Sequence, residues 1–405
     1  MSYIQLIKQH TGLLLLGFLA LFSGNLGQTF FIGLFQAPFA EHYQLTSGQF
    51  GICYSVVTLA AGFLIYFAGP ALDWVAPRFF GALVVAGMSL GIVLMTLSPW
   101  AALGIIGLGL VRLCGQGLFT HLGTTVTGKA FSHARGKALG LVTLGIPVGE
   151  AILPSAAAAL LVIVTWRELW WGLLAGLLIL WLPLLLRSPH WPAADRAARD
   201  AKGNANARGP SPLRERRFWQ LSLLMLSISI INTGVFVYQA QMTSEFGAST
   251  ATYALGLIGA AAARFPGALL GGRWVDRFGA GVMGRLYLLP LGLGLILAVW
   301  WQGNAGIVAY MVCAGLVVGM QEPVNTSLLV RLWGAEHLAR VRSTLVAAMV
   351  FASGIAPALF GALIGLQIPF FVILLMMAGL VLVAWLAALA PLRDVRRLET
   401  AREIR

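Results

Sequence analysis

Long apolar stretches alternate with short polar intervals along almost the whole chain. Each stretch approaches or exceeds the roughly 20 residues that an α-helix needs to cross the hydrocarbon layer of a membrane. Twelve of them are predicted as transmembrane helices, six on either side of a polar interval in the middle of the chain. Their ranges are 11–37, 50–68, 79–97, 101–126, 140–164 and 169–186 in the first half, and 221–239, 253–270, 282–301, 307–330, 345–366 and 370–389 in the second.

The polar interval between the sixth and seventh stretches is rich in proline, glycine and charged residues, which is typical of an exposed linker. It divides the chain into four predicted parts. These are an N-terminal six-helix bundle at 1–187, a cytoplasmic linker at 188–217, a C-terminal six-helix bundle at 218–392 and a cytoplasmic tail at 393–405.

The two halves repeat several residues at a constant offset. The pairs 203 residues apart are Thr29 and Asn232, Gln36 and Gln239, Gly69 and Gly272, and Asp73 and Asp276, and a later pair 205 apart is Gln116 and Gln321. Transporters built from two six-helix repeats show such internal similarity. The predicted fold is therefore an all-α membrane protein, with twelve transmembrane helices in two six-helix bundles related by pseudo-two-fold symmetry.

Composition and charge support a membrane protein and exclude a nucleic-acid-binding one. Hydrophobic residues make up 59% of the chain and charged residues 10%, whereas a soluble domain has about a quarter charged residues. The net charge of +13 comes from lysines and arginines that fall almost entirely in alternate loops, which is the positive-inside pattern. It predicts a multi-pass protein of a bacterial-type inner membrane, with the lipid bilayer as its surroundings and both termini in the cytoplasm.

Cysteine spacing and catalytic motifs give no sign of an enzyme. Cys53, Cys114 and Cys313 all lie inside predicted helices and never at metal-ligand spacing, so neither a disulfide nor a metal site is expected. No hydrolase or metalloprotease motif occurs. We expect a monomer that needs no cofactor and catalyses no reaction.

Four ionisable residues lie deep in predicted helices, namely Arg112, Glu150, Arg264 and Glu322. An ionisable group inside the bilayer costs about 2.5 to 3.5 kcal/mol on insertion scales, so each is a functional candidate. The arginines suit a carboxylate substrate, and Glu322 and Glu150 are candidate proton-coupling groups. Two residues of each sign could instead form buried salt bridges that only join helices.

Further amide and hydroxyl residues recur at helical spacing in the first, second, fourth, seventh and tenth predicted helices. Together with the arginines they form the predicted substrate-binding set: Arg264, Arg112, Gln116, Asn25, Gln28, Thr29, Tyr54, Asn232, Gln239, Gln321 and Asn325. The competing interpretation is that the amides only form hydrogen bonds between helices, which are worth about 0.6 kcal/mol each.

The loop after the eighth predicted helix, Gly272 through Gly279, resembles the G-x-x-x-D-R-x-G motif of the major facilitator superfamily, and Gly69 through Asp73 resembles a degraded first copy. This resemblance implies a cytoplasmic gate, because the acidic residue of the motif caps a helix and pairs with basic residues. The implied gate residues are Asp73, Arg78, Asp276, Arg277 and Arg135. It also implies a substrate cavity lined by the first, fourth, seventh and tenth helices.

The segment from Lys129 to Gly140, followed by Gly145, Gly149 and Pro154, resembles the monocarboxylate porters and their oxalate and formate relatives. In those carriers an arginine of the eighth helix binds the substrate anion, and Arg264 resembles that residue. The resemblance implies a secondary transporter that moves a small organic anion by alternating access, with proton coupling as the expected driving mechanism. Two alternatives stay open: a drug or metabolite efflux antiporter, because the segment around Glu150 partly resembles such proteins, and a membrane sensor or scaffold.

Overall fold

The structure is a computed structural model that describes residues 3–68, 75–131, 135–187, 191, 212–334 and 338–403. In this part of the chain all regular structure is helical. Asp73 and most of the predicted linker lie outside the described residues. The chain packs into two compact units: unit 1 contains Met1–Leu45 and Ile52–Asn206, and unit 2 contains Thr46–Gly51 and Ala207–Arg405.

Twelve of the described segments are long and apolar enough to cross a membrane, which confirms the predicted number. The helices of the first half are α1 (Tyr3–Gly24), α2 (Thr29–Ile32), α3 (Gln36–His42), α4 (Ser47–Ala68), α5 (Pro77–Leu97), α6 (Ala101–Arg112), α7 (Thr120–Ala130), α8 (Arg135–Thr143), α9 (Gly145–Leu160) and α10 (Trp166–Arg187). A π-helical segment, Leu113–Phe119, joins α6 to α7.

The helices of the second half are α11 (Arg216–Val237), α12 (Gln239–Glu245), α13 (Thr250–Phe278), α14 (Ala280–Leu286), α15 (Leu289–Trp301), α16 (Gly303–Trp333), α17 (Leu338–Gly365) and α18 (Phe370–Glu403). The last helix continues without interruption through the stretch predicted as the start of the tail, as far as Glu403. Two helix ends follow known capping rules. The Ser249 side chain accepts a hydrogen bond from the Thr252 amide at 3.1 Å at the start of α13, and Gly279, with φ of 84°, ends that helix.

The first predicted span, 11–37, is wrong in its extent and continuity. Helical structure begins eight residues earlier, at Tyr3, but is kinked at His10, whose φ of −131° and ψ of 27° are not helical, directly before the predicted start. The helix ends at Gly24, where a 3-10 turn, Asn25–Gly27, and an extended Gln28 interrupt it. The helical path then resumes in short pieces, α2 and α3. Hydropathy cannot detect such a break, because every residue from Leu26 to Leu34 except Gln28 and Thr29 is apolar or glycine.

In unit 2, small residues allow α13 and α16 to pack closely. A Cβ on Gly315 would lie 2.6 Å from the Cα of Ala260, and a Cβ on Gly319 would overlap the carbonyl oxygen of Arg264. Small residues four apart commonly bring transmembrane helices together in this way. This close packing fixes the position of the α13 backbone at Arg264.

Candidate functional site

The side chain of Asn25 forms three hydrogen bonds at the break after α1. Asn25, which is 1% exposed, donates through Nδ2 to the carbonyls of Leu21 at 3.2 Å and Phe22 at 3.0 Å. The same nitrogen lies 3.1 Å from the carbonyl of Gly145 at the start of α9. Gln28 is extended, with φ of −77° and ψ of 149°. Asn25 therefore gives the last carbonyls of α1 a side-chain donor and ties the break to α9.

The π-helical segment Leu113–Phe119 packs directly against this break. A Cβ on Gly27 would lie 2.7 Å from the Cα of Gly115 and 2.8 Å from the amide nitrogen of Gln116, and a Cβ on Gly24 would lie 2.9 Å from the Gly115 carbonyl oxygen. Only glycine allows the two backbones to approach so closely. Two irregular backbone segments in contact at membrane depth are typical of functional sites rather than of simple helix packing.

Arg112, the last residue of α6, lies at this contact and is 1% exposed. Its Nη1 donates to the Gly27 carbonyl oxygen at 2.9 Å and to Thr29 Oγ1 at 3.0 Å. The guanidinium carbon lies 4.9 Å from the centre of the Tyr54 ring, and Tyr54 is fully buried. A cation over an aromatic face is stabilised by the negative charge on that face. We call Arg112, Thr29, Tyr54 and the Gly27 carbonyl the Arg112 site.

The charge of Arg112 is not neutralised within the part of the chain that the structure describes. The guanidinium forms no ion pair with any described carboxylate, and Nε and Nη2 have no hydrogen-bond partner there. Arg112 is therefore not half of a buried salt bridge with any carboxylate that the structure describes. A buried cation with two donor nitrogens that have no partner is costly to maintain, and its planar donor arrangement matches a carboxylate.

The other candidates of unit 1 lie on three segments: α9, the break after α1 and the π-helical segment. Glu150 is fully buried in α9, next to Gly149, whose added Cβ would lie 2.6 Å from the side-chain carbon Cγ of Asn25. Gln28 and Gln116 are half-buried at the break and in the π-helical segment. The structure thus brings Asn25, Thr29, Tyr54 and Arg112, with Glu150 on an adjoining helix, into one region of unit 1.

The candidates of unit 2 lie on three long helices, α11, α13 and α16, and on the short helix α12. Arg264 is half-buried in α13, while Glu322 is exposed in α16 and accepts a hydrogen bond from Thr326 Oγ1 at 3.3 Å. Asn232 accepts a hydrogen bond from the Tyr310 hydroxyl at 3.1 Å. Gln239 and Asn325 are buried, and Gln321 is half-buried. The Asn232 contact fits the interpretation of an interhelical hydrogen bond, which the sequence left open for the amides.

A family model of the Major Facilitator Superfamily matches residues 14–265 and, in a second match, residues 221–404. This chain belongs to the Major Facilitator Superfamily. The predicted superfamily is thereby confirmed, and the chain is a multi-pass membrane transporter. A search of curated proteins finds no match.

Two solved structures similar to this superfamily member are crystal structures of a bacterial homologue of the human lysosomal transporter Spinster. The inward-facing, unoccupied form has a TM-score of 0.67 and 16% identity, with 95% of this chain and 97% of that chain covered. The inward-facing, occupied form has a TM-score of 0.62 and 17% identity, with 97% and 95% covered. At this identity the similarity shows the fold.

The gate motif of this superfamily member lies at the end of α13. Asp276 and Arg277 are exposed in its last turn, and Gly279 adopts the positive φ that lets the chain turn into α14. Arg78, near the start of α5, is exposed and donates to the Leu186 carbonyl oxygen at 3.3 Å. Arg135 begins α8. Asp73 is outside the described residues, so the gate stays a prediction.

Sequence reasoning missed Glu399, which caps the turn that follows the gate motif. Its Oε1 accepts a hydrogen bond from the Ala280 amide at 2.7 Å, and its Oε2 accepts one from the Gly281 amide at 3.3 Å. Arg331 Nε lies 3.7 Å from Oε1. The residue was missed because it lies more than a hundred positions from the amides that it caps, in a stretch predicted to be a tail.

Proposed function

We propose that this transporter moves a small, monocarboxylate-like organic anion by alternating access, with proton coupling, across a bacterial-type inner membrane. The observation that carries the proposal is the buried Arg112 guanidinium, whose Nε and Nη2 have no partner among the described residues. A substrate carboxylate would supply both the missing charge and the missing acceptors. The inward-facing forms of the bacterial Spinster homologue support alternating access as the mode of transport.

Burial of Arg112 requires movement before an anion can reach it. The break at Gln28 and the π-helical segment after Arg112 support such movement, because irregular helical segments can change their hydrogen bonding more easily than regular ones. A carboxylate that binds only when these segments rearrange would favour the rearranged state. Substrate binding and conformational change would then be linked at one residue.

Arg264 is the second proposed anion ligand. It is half-buried on α13, and the small residue Ala260, one turn before it, packs against Gly315 of α16. The resemblance of Arg264 to the anion-binding arginine of monocarboxylate porters also supports this role.

The Arg264→Gln variant tests the anion-carrier proposal. Formate, acetate, lactate, pyruvate and oxalate are first screened by thermal shift, and the ligand with the largest shift is used for counterflow in proteoliposomes. We expect Arg264→Gln to slow counterflow by about tenfold or more, because a half-buried charged contact is worth roughly 1.5 to 3 kcal/mol. Arg273→Gln is the matched control, since Arg273 is exposed on the same helix. Equal counterflow by both variants would contradict the proposal.

Glu322 is the proposed proton-coupling residue, with Glu150 as the competing one. Exposure of Glu322 and its hydrogen bond with Thr326 support a carboxyl group that can exchange protons. We expect Glu322→Gln to keep counterflow, which needs no proton, and to lose uptake driven by a pH gradient, while Glu322→Asp keeps both. If Glu150→Gln alone abolished gradient-driven uptake, the coupling role would belong to Glu150.

The efflux alternative makes a different prediction. It is favoured by complete burial of Glu150 beside the helix break, where a carboxylate could exchange a proton for an amphipathic cation. Resistance to cationic drugs on overexpression, with no counterflow of any carboxylate in the panel, would replace the anion carrier by this function.

A further inference from the structure

A cavity of about 680 Å³ lies in unit 2 beside the gate motif, where α13 ends, α14 begins, and α16 and α18 pass. Its volume falls in the range of roughly 300 to 1,000 Å³ that is usual for small-molecule sites. The basic residues that line it are Arg277, Arg331 and Arg396. The predicted gate uses two of the residues that line this cavity, Asp276 and Arg277, but the proposed anion transport assigns no ligand to it.

The residues that line the cavity carry a net charge of one positive unit, which favours the binding of an anion. Three guanidinium groups and two carboxylates, Asp276 and Glu399, line it, so that one positive charge is in excess. Glu399 is already engaged by the Ala280 and Gly281 amides and lies 3.7 Å from Arg331. Arg277 and Arg396 form no ion pair within the described ranges, so their donors are available to a ligand.

The position of the cavity points to a ligand that lies at the membrane surface. It borders the ends of spans that finish at Phe278 and Trp333, on the side where the positive-inside rule places the cytoplasm. Phe278, which also lines the cavity, is 49% exposed and provides an apolar edge beside the polar floor. Basic pockets between transmembrane helices on this side are suited to anionic lipid headgroups.

We propose that this cavity binds a phosphate-bearing anion, the headgroup phosphate of an anionic phospholipid, through Arg277 and Arg396. The phosphodiester carries one negative charge, which equals the excess in the lining, and its oxygens suit the planar guanidinium donors. The acyl chains leave the cavity past Phe278. A bound headgroup would hold the end of α13 to α18 and so bias the gate motif that contains Asp276 and Arg277.

Native mass spectrometry of the full-length protein with phosphatidylglycerol, phosphatidylcholine or inorganic phosphate tests this site. We expect wild-type protein to retain phosphatidylglycerol, and the Arg277→Gln/Arg396→Gln double variant to bind it roughly 25-fold more weakly, at about fivefold per arginine. The double lysine variant, which keeps both charges, should recover part of the affinity. Arg397→Gln is the matched control, because Arg397 is exposed on α18 but is not among the residues that line the cavity.

Competition with inorganic phosphate shows whether the bound phosphate belongs to a membrane lipid or to a soluble ligand. Phosphatidylglycerol that resists displacement by millimolar inorganic phosphate supports a membrane lipid, whereas displacement supports the same phosphate site with a soluble ligand. Wild-type affinity in the double glutamine variant, or equal weakening by Arg397→Gln, overturns the proposal. Thermal unfolding without lipid shows whether the double variant is folded, and the lysine variant gives an answer if it is not.

Discussion

Replacing Arg112 by glutamine is expected to reduce counterflow of the transported anion by about 100-fold or more, and to leave the protein at least as stable to heat. The loss follows from complete burial of the guanidinium, because truncating one side of a buried charged contact costs about 2 to 5 kcal/mol. The effect exceeds that expected for half-buried Arg264, whose charge is better screened by solvent.

Stability should not fall together with transport, and this difference identifies a functional arginine. Arg112 is a buried charge without a carboxylate partner in the described parts of the chain, so removing it relieves a desolvation cost. The amide of glutamine can still donate a hydrogen bond towards the Gly27 carbonyl oxygen or Thr29, which Nη1 of Arg112 now contacts. An arginine that only held the helices together would produce the opposite result, because its loss would lower the unfolding midpoint.

The measurement pairs counterflow in proteoliposomes with thermal unfolding of the same preparation. Arg112→Lys keeps the charge but loses the planar arrangement of donors, and we expect transport intermediate between wild type and Arg112→Gln. Arg167→Gln serves as the control, since Arg167 lies near the start of α10 and stacks on Trp166. Wild-type counterflow by Arg112→Gln would rule out the Arg112 site as the anion site.

Much of the fold follows from the sequence because it depends on local composition. A stretch of about 20 apolar residues must be helical inside a membrane to satisfy its backbone hydrogen bonds. Each of the twelve spans can therefore be predicted from its own residues, without knowing which helices it packs against. The same reasoning selected Arg112, because an arginine in an apolar stretch costs too much to be accidental. Thr29 and Tyr54 were predicted in the same set as Arg112, but their contacts with it and the role of the Gly27 carbonyl did not follow, because these residues come from other segments of the chain.

Features that depend on distant contacts could not be predicted. The end of α1 at Gly24 depends on Asn25, whose side chain also contacts the carbonyl of Gly145, 120 residues away. The sequence does contain a weak signal, a glycine on either side of Asn25 and Leu26, which marks a place where a helix can break. The π-helical segment also contains two glycines, Gly115 and Gly117, but they do not indicate which other segment they approach, and the contact of Gly115 with Gly27 is seen only in the structure.

Gly115→Ala is expected to destabilise the protein strongly, by about 2 kcal/mol or more, and to abolish transport. A Cβ at this position would overlap the Cα and amide nitrogen of Gly27, and backbone atoms cannot move aside as a side chain can. The overlap must separate the π-helical segment from the break after α1. Because the Gly27 carbonyl oxygen accepts a hydrogen bond from Arg112, the separation also changes the position of the guanidinium.

Gly172→Ala and Gly176→Ala provide matched controls for this substitution. Both glycines lie inside α10, and a Cβ on either meets no atom within 4 Å. Alanine favours a helix over glycine by about 1 kcal/mol, so these variants should unfold at the same or a slightly higher temperature. Gly115→Ala adds the same methyl group in the π-helical segment, where it overlaps Gly27, and should therefore unfold at a clearly lower temperature. Equal unfolding midpoints for all three variants would mean that the two backbones are not in contact, and the geometry of the Arg112 site would then have to be abandoned.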